Sequence, residues 1–372
     1  MTPAFASTRQ AVGFALLLGI LLLAPWLLRG NALPAREDVY RSMRDEDGPY
    51  PFLHRQIFLE KGDVDIAFIG SSHVWTGIDT RRVQEELSRR LGREAVVVTL
   101  GWPWSGFDAL YFLSRDLLRQ RKVRMLVFYD DTARDVDGMP SDEAHRLAPH
   151  WFRWSEDRAE LAGLPLRARG ALYYAAIVGV PRNLLRRLLP ADPGPDRLSR
   201  PSYWERKYHA PPLDETAGAL SARLGIDHDP RAYVDFTPDP GAQPAAAAIY
   251  SPATRAQFQF TGPATPPAGR HFVRRLARLA AARRTRLVLL NFPDVADMRS
   301  PAINERECWP EALDADLAML GVPPAALFAG LTDQQVRDLY YDHGHFNRNG
   351  QDLYTKLVCP GLLDLYENAS DH

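Results

Sequence analysis

Val64-Asp65-Ile66-Ala67-Phe68-Ile69-Gly70, followed at once by Ser71-Ser72-His73, decides how the chain is read. A short apolar run closed by glycine and a polar turn reads as a buried parallel strand leading into a helix. The rhythm repeats downstream. Asp79 to Arg90 has helical spacing, with Val83, Leu87 and Leu91 on one face. Ala95–Leu100 is a second strand, Phe107–Leu118 a second helix, and Val123–Tyr129 a third strand that runs straight into Asp130-Asp131. Strand, helix, strand, helix, strand predicts an α/β fold with a doubly wound open sheet.

The alternation stops near residue 138. Residues 138–266 are rich in Pro, Arg, Trp and Tyr without a sustained period; Ala171–Leu189 is a helical candidate interrupted by Pro181. The pattern resumes with a helix at His271–Arg284 and a fourth strand at Arg286–Asn291. A helical stretch is expected at Pro310–Leu320, a fifth strand at Ala325–Leu331 and a last helix from Asn349 to Leu365. The expected organisation is an anchor (1–30), a stalk (31–63), the first part of the α/β domain (64–137), an insertion or lid (138–266) and the second part (267–372).

Of 372 residues 46% are hydrophobic and 24% charged, enough apolar material for a large core. Lys plus Arg number 45 and Asp plus Glu 46, a formal net charge of −1, so no global positive field favours nucleic acid as a partner. The N-terminus departs from the globular pattern. Gln10–Leu28 carries no charge, and the 18 residues 11–28 would rise about 27 Å as a helix, close to a bilayer's hydrocarbon thickness. The run exceeds the usual signal-peptide core and no clear Ala-x-Ala site follows, which favours an uncleaved membrane helix. Arg29, Arg36, Arg41 and Arg44 after the run argue for a cytoplasmic body, but long domains translocate largely regardless of such charges. Cys308 and Cys359 fit one disulfide in an oxidising compartment, or two buried free thiols. On balance the body is expected outside the cytoplasm.

Ligands bind doubly wound sheets beyond the carboxyl ends of the strands. Gly70-Ser71-Ser72-His73, Gly101–Gly106 (GWPWSG), Tyr129-Asp130-Asp131-Thr132 and the C-terminal cluster Tyr340–Asn347 are the polar candidates there. A serine opening a helix lies near amides that stabilise an oxyanion. It becomes a nucleophile when a histidine oriented by a carboxylate takes its proton, and Asp342 and His345 can supply both from one turn. Ser71 and Ser72 have a plainer duty as helix caps. No sequence motif calls for a metal or a cofactor.

Phe68–Asp79 (FIGSSHVWTGID) resembles the first block of the SGNH/GDSL hydrolases, and Tyr340–Leu357 (YYDHGHFNRNGQDLYTKL) resembles their last, Asp-x-x-His before the terminal helix. The resemblance covers about residues 64–135 and 268–368. It implies an SGNH-type, flavodoxin-like sheet with Ser72 as nucleophile, His345 as general base and Asp342 as its orienting partner. Oxyanion amides are implied at Ser72 and Gly106, with Gly101 as the second choice for the glycine. Where the family has an Asn, this chain has Asp130-Asp131. A carboxylate does not donate to an oxyanion unless protonated, so either backbone amides form the hole alone or Asp131 has another role. Ser71, His73, Asp131 and Trp104 are candidate substrate contacts, with His73 expected to face solvent.

One N-terminal membrane helix and Gly-Ser-Ser in place of Gly-Asp-Ser resemble the proteins of periplasmic alginate O-acetylation and teichoic acid D-alanyl transfer. That likeness implies a single-pass protein of the bacterial inner membrane with a periplasmic domain. It also implies a polysaccharide acceptor and a polytopic membrane-bound O-acyltransferase as partner. An esterase or deacetylase would use the same residues with water as acceptor. A non-catalytic scaffold would not bring Ser72, Asp342 and His345 together.

Overall fold

The computed structural model describes residues 6–27, 35–41, 50–101, 106–129, 163–174, 177, 247–262, 267–306, 317–340 and 343–368. The chain is mixed α/β. Among the described residues the main sheet has the order β2-β1-β3-β6-β8-β4, with β1 (Val64–Gly70), β2 (Val97–Gly101), β3 (Val123–Tyr129), β4 (Ala248–Ile249), β6 (Arg286–Leu290) and β8 (Leu317–Gly321). All neighbours are parallel except β4, which pairs antiparallel with β8 at the edge. A parallel pair, β5 (Phe258–Gly262) and β7 (Ile303–Arg306), lies apart from it.

Continuous apolar strands make sense here because both faces of the sheet are covered. On one face α6 (Phe107–Gln120) and α7 (Pro267–Ala282) bury Leu110, Leu117, Phe272 and Leu276 against Ala67, Ile69, Leu126 and Leu289. On the other face lie α4 (Ser72–Gly77), α5 (Thr80–Leu91) and α10 (Arg348–Asn368). They bury Val74, Leu87, Tyr354, Val358 and Leu362 against Ile66, Phe68, Val127 and Val288. The short helices α8 (Pro324–Leu327) and α9 (Asp333–Arg337) precede α10.

Several expectations need correction. The helix expected at Pro310–Leu320 gives way to strand at Leu317–Gly321, whose five residues are all buried. Residues 310–316 lie outside the described residues. The fifth strand expected at Ala325–Leu331 begins as α8 instead, because Pro324 presets φ at the first helical position. The stalk packs where it is described. α1 (Thr8–Leu27) is followed by α2 (Arg36–Arg41), α3 (Tyr50–His54) and a π-helical turn (Arg55–Leu59). Arg36 Nε and the Tyr40 hydroxyl meet Asp116 Oδ2 of α6 at 2.5 and 2.8 Å, and Leu53 and Ile57 are wholly buried. Most of 138–266 lies outside the described residues. Its described parts join the domain: Leu164, Ala168 and Leu172 enter the core, β4 extends the main sheet and β5 pairs with β7. Of the helical candidate Ala171–Leu189, residues 171–174 and 177 are helical and the rest lies outside the described residues. Cys359 is a free thiol, buried on the inner face of α10, where burial pushes its pKa up to about 11. No disulfide holds it, and Cys308 lies outside the described residues.

Among the described residues no helix is long and apolar enough to cross a membrane. α1 is continuous over Thr8–Leu27 and carries the apolar side chains of Ala11–Ala24. Those side chains are broadly exposed, Leu16 and Leu17 at 64% and 66%.

The end of the sheet away from the polar loops is clamped by Asp65. Its carboxylate takes two hydrogen bonds from the Arg93 guanidinium, at 3.0 and 2.5 Å, one from Val96 N at 2.9 Å and one from the Tyr366 hydroxyl at 2.5 Å. Burial alone would raise the Asp65 pKa, but these donors outweigh it and hold the group below its ordinary value. Burial and the Asp65 bond push Tyr366 up to about 12. A depressed carboxylate stabilises the fold above its unfolded pKa and loses that contribution as pH falls through its folded pKa. Asp65→Asn is therefore expected to cost about 1–3 kcal/mol at neutral pH. In urea melts across pH, the gap from the unsubstituted protein should close on the acid side of the carboxylate range.

Candidate active site

The site is assembled at the carboxyl edge of β1, β3 and β6. Gly70 ends β1, paired with Gly101 of β2 on one side and Tyr129 of β3 on the other. A Cβ on Gly70 would collide with the Tyr129 carbonyl and the Val74 side chain, so glycine is what lets the chain turn this tightly into α4. Ser71 is the N-cap: its side chain accepts from His73 N, while its carbonyl accepts from Val74 N at 3.1 Å. Ser72 is the first helical residue. It is 5% exposed, and its N–H belongs to the first turn of α4.

His345 arrives from the far end of the chain. Asn347 N donates to the Leu339 carbonyl at 2.9 Å and its Nδ2 to the Asp338 carbonyl at 2.6 Å, while its Oδ1 accepts from Asn349 N and Gly350 N at the start of α10. Tyr340 and Phe346 form an isolated antiparallel bridge and stack at 4.5 Å, closing the loop that carries His345. The Tyr340 hydroxyl donates to the Pro293 carbonyl at 2.7 Å, and the Tyr354 hydroxyl to the Asn291 carbonyl. Burial pushes both phenols well above their ordinary pKa, so they serve as fixed donors.

These scaffolds bring Ser72 Oγ to 2.7 Å from His345 Nε2, across 273 residues of sequence. A buried serine hydroxyl against a half-buried imidazole is the geometry for proton removal from a nucleophile. Asp342, Asp131 and Trp104 lie outside the described residues. Gly101 lies at the end of β2 against Trp75 and near the Ser71 carbonyl, and Gly106 heads α6. Trp75 is 3% exposed, a packing residue.

His73 overturns its expected solvent-facing position. It is 7% exposed, with Nδ1 3.2 Å from Ser71 Oγ and its ring stacked on His345 at 4.2 Å and 22°. Asp294 was missed from the sequence. It follows β6 in Asn291-Phe292-Pro293-Asp294, and the rule that placed the other candidates beyond strand ends applies equally there. Comparisons with protein-family models, curated proteins and solved structures return no match.

Gly70→Ala is expected to destabilise the protein by about 1–3 kcal/mol through forced displacement of Tyr129 or Val74. The same shift should move Ser72 away from His345. Urea unfolding reads the first effect. The chemical shift of the ¹⁵N-labelled His345 imidazole reads the second.

Proposed function

We propose that this chain is a membrane-anchored SGNH-type serine O-acyltransferase acting on a hydroxyl of an exported or cell-surface polysaccharide. The observation that carries the reading is the 2.7 Å contact between Ser72 Oγ and His345 Nε2. A scaffold without chemistry has no need of that contact. The parallel order β2-β1-β3-β6-β8 is that of flavodoxin-like sheets, whose ligands sit where β1 and β3 diverge. Ser72 stands at that point. The exposed apolar surface of α1 supports the anchor, and the resemblance to polymer-modifying proteins supports a single-pass inner-membrane protein with its domain in the periplasm.

In the proposed reaction Ser72 Oγ attacks the carbonyl carbon of an acyl donor while its proton passes to His345 Nε2. The negative charge on the carbonyl oxygen is met by backbone amides, with Ser72 N–H and Gly106 N–H assigned to that role by the resemblance. Collapse breaks the bond to the donor's leaving group, which takes the proton from His345. A sugar hydroxyl then attacks the acyl-enzyme, gives its proton to His345, and Ser72 recovers that proton as the ester departs. Asp342 is assigned to hold the His345 imidazolium. The donor would come from a polytopic membrane-bound O-acyltransferase.

Full-length protein in detergent micelles, treated with p-nitrophenyl acetate and followed by intact mass, tests the reading. The unsubstituted chain is expected to gain one acetyl group, Ser72→Ala none. His345→Gln should slow labelling by about a thousandfold. Labelling of Ser72→Ala at the unsubstituted rate would overturn it. Faster p-nitrophenol release on adding an acetylatable polysaccharide indicates transfer, whereas release indifferent to it indicates an esterase.

A further inference from the structure

The described residues 163–174 carry two opposed rows of side chains. Ala168 and Leu172 are buried in the core, as is Leu164 just before the helical run 166–174. Leu166, Gly170 and Tyr174 stand two positions off that row, about 200° round the helix. Leu166 is 78% exposed and Tyr174 68%, and a Cβ at Gly170 would meet nothing within 4 Å. Outside α1, Leu166 and Tyr174 are the two most exposed large hydrophobic side chains among the described residues. Arg167 and Arg169, both exposed, flank that row. A helix that bares an apolar row between arginines has the pattern of an element lying in a membrane interface.

The position of this helix fits that pattern. The Tyr173 hydroxyl donates to the Leu22 carbonyl of α1. Leu22 is about 7.5 Å of helix rise from Leu27, the last residue of α1. Interfacial helices settle about 5–10 Å into the boundary between headgroups and acyl chains. With α1 across the bilayer, the bond brings residue 173 to the anchor at about that depth.

The cationic side continues onto α7. Gly163 lies close against it, for a Cβ there would sit 2.5 Å from His271 Nδ1. At that contact lies an open groove of about 480 Å³, lined by Arg270, Arg274, Arg275 and Arg278. Neither 163–174 nor Pro267–Ala282 contains an acidic residue, so the two segments place six arginines side by side. The planar fork of a guanidinium matches phosphate oxygens.

We propose that residues 163–174 and the groove of α7 form a membrane-docking surface selective for anionic phospholipid headgroups. The depth of docking rests on α1 being the membrane anchor. Leu166 and Tyr174 supply the apolar insertion, and the arginines supply the attraction to lipid phosphate. A single span fixes one point of the domain on the bilayer; a second contact beside it fixes the orientation.

The full-length protein, reconstituted in vesicles of phosphatidylcholine alone or mixed equally with phosphatidylglycerol, tests the proposal by hydrogen exchange read by mass spectrometry. Exchange over 163–174 is expected to slow at least about fivefold on the anionic vesicles, and the difference should fade at high salt. Arg167→Gln combined with Arg169→Gln should remove most of the difference without lowering the melting temperature. Arg81→Gln combined with Arg89→Gln, at exposed positions on α5 across the sheet, should leave it intact. Equal exchange on the two kinds of vesicle, or equal loss in both double variants, would overturn the proposal. Slowing by dextran sulfate on neutral vesicles, with none from anionic lipid, would assign the surface to a soluble polyanion and overturn it too. An alkaline carbonate wash reads the anchor separately. Protein stripped by the wash, yet slowed in exchange on anionic vesicles, would leave the docking surface standing and remove the anchor. Protein retained, with exchange unchanged, would do the reverse.

Discussion

The seam between α4 and α10 is the constraint on which the site depends. Gln351 Nε2 donates to the carbonyls of Ile78 and Trp75 at 3.0 and 3.4 Å, and Asp79 N donates to Thr355 Oγ1 at 2.9 Å. All three bonds are buried or partly buried and join residues more than 270 positions apart. A long-range contact of this kind costs chain entropy that the apolar packing beside it must offset. Val74, Ile78 and Leu87 on one side and Leu353, Tyr354 and Val358 on the other supply that packing. With the seam closed, Ser72 and His345 face each other without either carrying the cost of the encounter.

Two features make the edge of the sheet usable for chemistry. Glycines at 70 and 344 remove side chains where backbone or ring atoms must approach closely. Fixed hydrogen bonds then replace mobile ones. Asn347 uses its amide side chain to cap α10 and hold the preceding loop, and the Tyr340 and Tyr354 hydroxyls bind backbone carbonyls after β6. The result is a preorganised pair of histidines whose polar neighbours are already oriented before any substrate arrives. At the opposite end of the sheet, the Asp65 cluster ties β1 to β2 and to the end of α10, so the same helix is held at both ends.

Much of this was legible in the chain. β1 and β3 were bounded to the residue because a parallel strand covered on both faces leaves a short, mostly apolar run, here broken only by Asp65 and Arg124 at the second positions. Ser72 and His345 were singled out because polar turns carry them, Ser72 after β1 and His345 before the last helix, and because both turns resemble blocks of the SGNH/GDSL hydrolases. Other features were not legible. Leu317–Gly321 has the composition of a helical stripe when read with the Ala and Asp before it, and only burial on both faces identifies it as strand. His73 was placed in solvent because six residues of helix give no periodicity from which to choose a face. Asp294 was passed over although it follows β6 as the other candidates follow their strands; its approach to His73 depends on Gly344, half a hundred residues away, being empty of side chain. The packing of Tyr40 and Ile57 was hidden by the charged residues around them.

The most direct measurement is modification of the full-length protein by a fluorophosphonate probe, with the modified residue located by peptide mapping across a range of pH. Such probes phosphonylate serines that a base has activated. Modification is expected at Ser72 and not at its neighbour Ser71, with a rate that falls at acid pH, where a protonated histidine no longer takes the serine proton. Modification of Ser71 or a distant serine, or no modification at any pH, would contradict it.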